Sequence, residues 1–383
     1  MSSSSETSSN LDHVNYDSLD RAKNAFIEAS RRTTKFAERY GFIPNEQFGA
    51  SANVFALDLK PFLERGAENL YLTLLPEGLG TSDDARPADL TPDELQRFWF
   101  NIGVKTVAVM TNDAASSGMQ PILLSLYLPS STPELVFDQH FMRGFLDGFV
   151  DGCKTVGCVY FSGETPQLKN KIFEGKLDIA GALFGLMPPS LAPIDGTELG
   201  AGDSIVFVGS SGPHDNGFTS LRELAERLPN GYRTELQDGR QYWEAINVPT
   251  VLYSPFIQAV LESGVRPTNV EPISGHGWQK IMRSAKPLSY QIERLLPVPA
   301  VFEFVRESSG SSVKDMLSIF NYGVGLVVYT RSAADAEKVV ELAVQRQLDA
   351  VVAGKVHESH RREVRVAPLD IVISDDGFQL AQG

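Results

Sequence analysis

The chain has 383 residues, 42% of them hydrophobic and 21% charged, which is enough for two domains with substantial cores. A net charge of −14 argues against a nucleic-acid-binding surface, which needs a basic field, yet leaves room for a phosphorylated small molecule held through Mg²⁺. No apolar stretch approaches the ~20 residues of a membrane span. The two cysteines, Cys153 and Cys158, lack the histidine neighbours of a zinc site and read as free thiols of a reducing cytosol.

Residues 1–15 read as a disordered tail; the run from Met1 to Asn10 is almost all Ser, Thr, Glu and Asn and has none of the features of a signal peptide. Apolar residues at helical spacing (Ala22, Ala25, Phe26, Ala29) predict a helix from Leu19 to Arg39. Asn69 to Leu75 reads as a buried strand entering a turn at Glu77. A helix from Leu95 to Asn112 carries Asp113 at its end, and a strand follows from Pro121 to Tyr127. Phe141, Phe145 and Phe149 mark one face of a helix from Phe137 to Val156. Strands are expected at Val159–Phe161 and Ile179–Gly185, after which Pro188, Pro189 and Pro193 break the pattern. The domains are therefore placed at residues 16–190 and 191–383.

The second unit opens near Gly202 with the apolar strand Ser204–Val208. Helices are expected at Phe218–Leu228, Tyr253–Ser263 and Ala333–Gln345, with strands at Gly323–Tyr329 and Ala350–Ala353. This alternation predicts α+β or α/β layers. Between the first strand and first helix lies Ser210-Ser211-Gly212-Pro213-His214-Asp215-Asn216-Gly217-Phe218. Its small residues let backbone approach a ligand, and the following helix directs free N–H groups to the same spot, which suits an anion. His214 adds a side chain able to donate, accept or carry a proton near neutral pH.

That run resembles the S-S-G-P-H-S-N-G-Y signature of the phosphoribosylformylglycinamidine cyclo-ligases, also called aminoimidazole ribonucleotide synthetases. Further blocks follow in the family's order. Pro76-Glu77-Gly78-Leu79-Gly80-Thr81 resembles T-D-G-V-G-T, and Thr111-Asn112-Asp113 with Gly118-Met119-Gln120-Pro121 resembles V-N-D-(x)4-G-A-E-P. Ser162-Gly163-Glu164-Thr165 resembles G-G-E-T, Asp178-Ile179-Ala180-Gly181 resembles D-(V/L)-A-G, and Phe320 to Gly325 resembles F-N-x-G-(V/I)-G. The chain is identified as a divergent member, similar from about Tyr16 to about Val356.

The resemblance implies an α+β, two-domain aminoimidazole ribonucleotide synthetase-like fold. Its N-terminal domain would contribute to a dimeric β-barrel with a second copy, and its C-terminal domain would be α+β. It implies a cytoplasmic homodimer that uses ATP and Mg²⁺ to close the ring of a phosphorylated small-molecule substrate, formylglycinamidine ribonucleotide, in de novo purine synthesis. Neither nucleic acid nor membrane is expected as a partner. Glu77 and Asp113 would hold the metal, and His214 and Glu164 would be catalytic. Gly78, Gly80, Thr81, Asn112, Gly212, Asn216, Gly217 and Asn321 would contact nucleotide or substrate. Structural accounts stand beside these roles: Glu77 as a solvated turn residue, Asp113 as a helix cap, Glu164 as a strand-end acid, Asn321 as a left-handed turn residue.

Several positions depart from the family pattern. Glu77 replaces an Asp, Ser82 a Lys, and Lys105 the acid of G-I-D. Val251 replaces the arginine of P-T-R-I-Y, and Ser274 to Arg283 gains His276 while losing the Glu-Asn pair of T-G-G-G-(x)-x-E-N-(I/L)-P-R. The charge reversal prompts the expectation that Lys105 stands in for a second cation. The departures also keep two other functions open: a different ATP-dependent kinase or ligase of the same superfamily, and a non-catalytic paralogue.

Overall fold

The structure, a computed structural model, describes residues 16–44, 53–375 and 377–380; the tail expected over residues 1–15 lies outside the described residues. The N-terminal portion runs α1 (Tyr16–Thr33), β1 (Phe42–Pro44), β2 (Phe55–Leu57), α2 (Lys60–Glu64), β3 (Leu72–Gly78), α3 (Pro92–Ser116), β4 (Gln120–Tyr127), α4 (Pro133–Phe137), α5 (Gln139–Val156), β5 (Val159–Glu164) and β6 (Ala180–Leu186). Strands β3, β6, β4 and β5 form a sheet in that order, antiparallel except for the parallel pair β4 and β5.

Helix α3 decides the geometry of this half. Thr91 caps it through Glu94 N while the Glu94 carboxylate returns to Thr91 N, and Pro92 occupies the first turn where no N–H is needed. The helix therefore starts three residues before the expected Leu95. It also runs past Asn112 to Ser116 and stops at left-handed Gly118 (φ 78°). Asp113 thus sits inside the last turns and does not cap the end. Along α5, Phe141, Phe145 and Phe149 stack successively and are buried. Glycines let α3 and α5 meet backbone to backbone. A methyl carbon on Gly148 would overlap the Phe100 carbonyl, one on Gly103 the Phe145 carbonyl, and one on Gly144 the Gln96 carbonyl.

The C-terminal portion adds β7 (Ser204–Gly209), α6 (Phe218–Arg227), α7 (Tyr242–Ile246), α8 (Ser254–Glu262), β8 (Asn269–Pro272), β9 (Leu288–Ile292), α9 (Ala300–Ser309), α10 (Val313–Ile319), β10 (Val324–Thr330), α11 (Ala333–Val344), β11 (Ala350–Glu358), β12 (Glu363–Val366), β13 (Ile371–Ser374) and β14 (Gly377–Leu380). Its eight strands lie in the order β14-β13-β12-β9-β11-β7-β10-β8, antiparallel apart from β12 with β9. Central strand β7 is buried on both faces: Ile205 and Phe207 enter one apolar layer, Val206 and Val208 the other. Helices α7, α9 and α10 and strands β8, β9 and β12–β14 were not anticipated from the sequence.

The two halves share packing. Trp243 of α7 enters the N-terminal core, and Ala115 of α3 enters a C-terminal one. Arg233 reaches Glu94 (2.8 Å) and Arg97 reaches Glu244 (2.6 Å) across the seam. Among the described residues no helix is long and apolar enough to cross a membrane.

The glycine contacts give a direct test. Gly148→Ala should lower unfolding free energy by about 3 kcal/mol through overpacking, read as a lower denaturant midpoint. Gly200→Ala should change it by less than about 0.5 kcal/mol, because among the described residues other than its chain neighbours only the Arg331 side chain lies within 4 Å of the added carbon.

Candidate functional site

A cavity of about 340 Å³ opens where the end of β3 and the last turns of α3 face the loops of the C-terminal sheet. The N-terminal half contributes Glu77, Gly78, Asn112 and Asp113. The C-terminal half contributes the turn His214-Asp215-Asn216, then Thr250, Tyr253, the loop Ser274–His276, Lys280 and Gly325. Six of the expected site residues therefore meet in one place: Glu77, Gly78, Asn112, Asp113, His214 and Asn216.

Glu77 and Asp113 face each other within hydrogen-bonding reach. Burial raises the Glu77 pKa, and the Asp113 charge raises it further; burial also raises Asp113, against the pull of Lys280 and Arg283. Two carboxyls this close repel each other when both are ionised, and a cation between them relieves that repulsion. The pair fits a hard divalent ion such as Mg²⁺, which typically takes one or two carboxylates and completes its octahedron with phosphate oxygens and water. Among the described residues no third acidic, histidine or cysteine ligand joins them. Lys280 supplies part of the counter-charge. Its ammonium bonds Ser274 Oγ and lies in the same cavity, where burial lowers its pKa and Asp113 pulls it back up. Sequence reasoning registered the lost Glu-Asn pair in this loop but did not assign Lys280 to the site.

His214 is 8% exposed and adopts a left-handed backbone (φ 52°), as does Asp215 (φ 59°). Two consecutive non-glycine residues of this kind cost roughly 1–2 kcal/mol each. Three groups meet the ring at Nε2: the amides Ser211 N (3.1 Å) and Val251 N (3.4 Å), which can only donate, and Ser211 Oγ (3.0 Å), which can donate or accept. Nε2 is therefore the acceptor, and the ring hydrogen sits on Nδ1. Burial pushes the His214 pKa down to about 4, against the Asp215 charge, so the imidazole is neutral at pH 7. It is a hydrogen-bond donor rather than a carrier of a proton near neutral pH.

Asp215 and Thr250 explain part of this fixing. Thr250 Oγ1 donates to Asp215 Oδ2 (2.7 Å), and Lys105 Nζ lies 3.2 Å from Asp215 Oδ1 with both side chains buried. Lys105 is thus absorbed by an acid that stands where the family signature has Ser. Its ammonium is absent from the cavity wall, so it does not act there as a second cation. Burial lowers its pKa, and Asp215 opposes the shift.

The remaining expected residues lie elsewhere, for identifiable reasons. Asn321 is buried behind the turn: its Nδ2 donates to Gly212 O (2.8 Å), and its Oδ1 accepts from Ser210 Oγ (2.7 Å) and Gly323 N (3.0 Å). Gly217 caps α6 at φ 70°, where a side chain would strike Phe320. Gly212, Gly217 and Asn321 therefore build the turn from behind. Gly80 (φ 75°) and Thr81 form the bend that follows β3. Glu164 is exposed at the end of β5, the opposite sheet edge from β3, and does not reach the cavity. Asn112 lines the wall, but its amide is engaged. Nδ2 donates to Val251 O and Oδ1 accepts from Tyr253 N, both at 2.8 Å, clamping α3 to the chain before α8. Tyr253 in turn donates to Gly209 O (2.6 Å) against Gly325, which has no room for a side chain.

Residues 87–187 match the N-terminal domain, and residues 200–367 the C-terminal domain, of the AIR synthase related proteins. A phosphoribosylformylglycinamidine cyclo-ligase of Staphylococcus carnosus is 27% identical over 353 residues, covering 91% of this chain and 93% of the relative. One from Gloeobacter violaceus is 31% identical over 230 residues, covering 59% of this chain and 67% of its own. Among solved structures, E. coli HypE, a hydrogenase maturation protein, superposes with a TM-score of 0.61 at 19% identity, covering 92% of this chain and 94% of its own. A HypE in complex with ATP gives 0.58 at 15% identity, covering 92% and 93%. These likenesses establish the two-domain α+β fold.

The depressed His214 pKa has a signed consequence. The unfolded imidazole binds a proton near pH 6.5 and the folded one only near pH 4, so acid favours unfolding across that window. Relative to pH 7, wild-type protein at pH 4.5 should lose about 2 kcal/mol more stability than His214→Asn, measured by urea denaturation.

Proposed function

Since the chain belongs to the AIR synthase related family, we propose that this ATP-dependent ligase closes the ring of formylglycinamidine ribonucleotide. The products are aminoimidazole ribonucleotide, ADP and phosphate. The observation that carries the reading is the carboxyl pair Glu77 and Asp113, presented by one half of the chain to the His214 turn of the other across a single cavity.

The chemistry matches that arrangement. An amide oxygen leaves poorly, and phosphorylation turns it into a stable departing anion. The attacking nitrogen belongs to the same molecule, so the protein chiefly holds geometry and stabilises charge. Glu77 and Asp113 would hold Mg²⁺, which would supply positive charge against the polyphosphate. His214 offers its Nδ1–H to the amide oxygen that is phosphorylated, and its low pKa keeps that donor uncharged. Gly78 and Asn216 border the same space and contact nucleotide or substrate. The adjoining cavity, about 390 Å³, shares His276 and Lys280 and adds Arg283 and Arg362. Such cations suit the substrate phosphate and offset the arginine missing at Val251.

Residues 16–190 then form the ATP- and metal-binding domain and residues 191–383 its α+β partner, in a cytoplasmic enzyme of purine synthesis. The same reading makes a homodimer through the N-terminal sheet. Edge strand β3 leaves Leu72 (49%) and Leu74 (74%) exposed, an apolar edge that a second copy would cover.

Incubation with formylglycinamidine ribonucleotide and Mg·ATP should give aminoimidazole ribonucleotide and ADP one for one. ATP cleavage without that product would mean another substrate. His214→Ala should lower kcat more than about tenfold while the protein stays folded; unchanged kinetics would remove His214 from the reaction. Leu74→Asp should halve the mass seen by light scattering, whereas a mass unaffected by the charge would count against this interface.

A further inference from the structure

We infer that Lys105 is the positioning residue for the His214 turn, acting through Asp215 from behind the cavity wall. The geometry ties one buried ammonium to both chain segments that hold the imidazole. Towards the turn, Lys105 Nζ reaches Asp215 Oδ1 (3.2 Å) and lies over the Phe218 ring (4.7 Å to its centre). Towards the connection from α7 to α8, the same Nζ donates to Ile246 O (3.4 Å), at the end of α7. That connection then meets the turn in two adjacent pairs. Thr250 Oγ1 donates to Asp215 Oδ2, and Val251 N donates to His214 Nε2. Asp215 and His214 are thus anchored side by side on Thr250 and Val251, with Lys105 closing the loop from α3.

The charge arithmetic explains why this arrangement needs the lysine. The Lys105 and Asp215 side chains are 1% and 3% exposed, so neither charge can be hydrated in place. Among the described residues, Asp215 Oδ1 has no hydrogen-bond partner apart from this ion pair. Removing one partner leaves a bare buried charge, whereas removing both leaves none. A bare carboxylate would turn out towards the cavity water. It would carry the left-handed Asp215 and His214 with it and release Nε2 from the two amides that fix its tautomer. Asp83 is a second acid whose charge acts on Lys105.

The test compares Lys105→Met with Lys105→Met/Asp215→Asn, in which Asn keeps an acceptor for the Thr250 hydroxyl. Two readouts are taken: steady-state kinetics, and nitrogen NMR of the imidazole, which reports the tautomer without requiring turnover. Lys105→Met should lower kcat at least about tenfold, leave the KM for ATP within about twofold, and replace the single Nδ1–H pattern of His214 with a mixed one. The double variant should recover kcat to within about threefold and restore the Nδ1–H pattern. A folded Lys105→Met with the wild-type imidazole pattern overturns the inference. So does a double variant as impaired as the single one, and the double variant decides the matter if Lys105→Met does not fold. The rate readout rests on the proposed reaction and the NMR readout does not, so absent turnover in the wild type would refute the reaction alone.

Discussion

Two carboxyl groups held within hydrogen-bonding distance are unstable as a pair of anions, and the site is organised around that constraint. Glu77 comes from the end of β3 and Asp113 from the last turns of α3. Bringing them together requires a strand and a helix fixed to within a fraction of an ångström. The fold supplies this by pressing α3 against α5 through glycines, so that the long helix cannot slide or tilt. On the proposed reading, a cation between them would be bound by groups whose repulsion folding has already imposed.

The opposite wall is fixed by a different device. Central strand β7 is buried on both faces, which makes it a rigid base for the turn at its carboxyl end. The turn is buttressed from behind by Asn321 and from the side by Asp215, leaving His214 with one defined donor. A neutral imidazole in a fixed tautomer stabilises developing negative charge on an oxygen without exchanging protons with solvent. On the proposed reading the carboxyl pair and Lys280 would balance the polyphosphate charge, and the histidine would steady the charge that develops on the reacting oxygen.

Much of this was legible in the sequence, and what was missed has physical causes. Helix α3, strand β7 and the glycine-rich turn announce themselves through local periodicity and small residues, which depend on nearest neighbours. The His214 tautomer does not, because it is set by amides of Ser211 and Val251 that only folding brings together. Lys105 reads in isolation as a charge reversal and invites a role as a surrogate metal; only its burial beside Asp215 shows where the charge goes. Gly212, Gly217 and Asn321 carry a true signal for a demanding turn, but such a signal does not say which side of the turn faces the ligand. Glu164 shares a motif with the site, yet β6 and β4 separate its strand from β3. Strands β12 to β14 escaped notice because each spans only four residues, too few for a two-residue period to stand out.

The central claim is that Glu77 and Asp113 form a cation-binding pair facing the histidine turn. A crystal structure with Mg²⁺ and a non-hydrolysable ATP analogue tests it most directly. The expected result is a metal held by both carboxylates, with the analogue's polyphosphate in the same cavity and its terminal phosphate next to His214. Carboxyls still bonded to each other, with the polyphosphate bound outside this cavity, would contradict it.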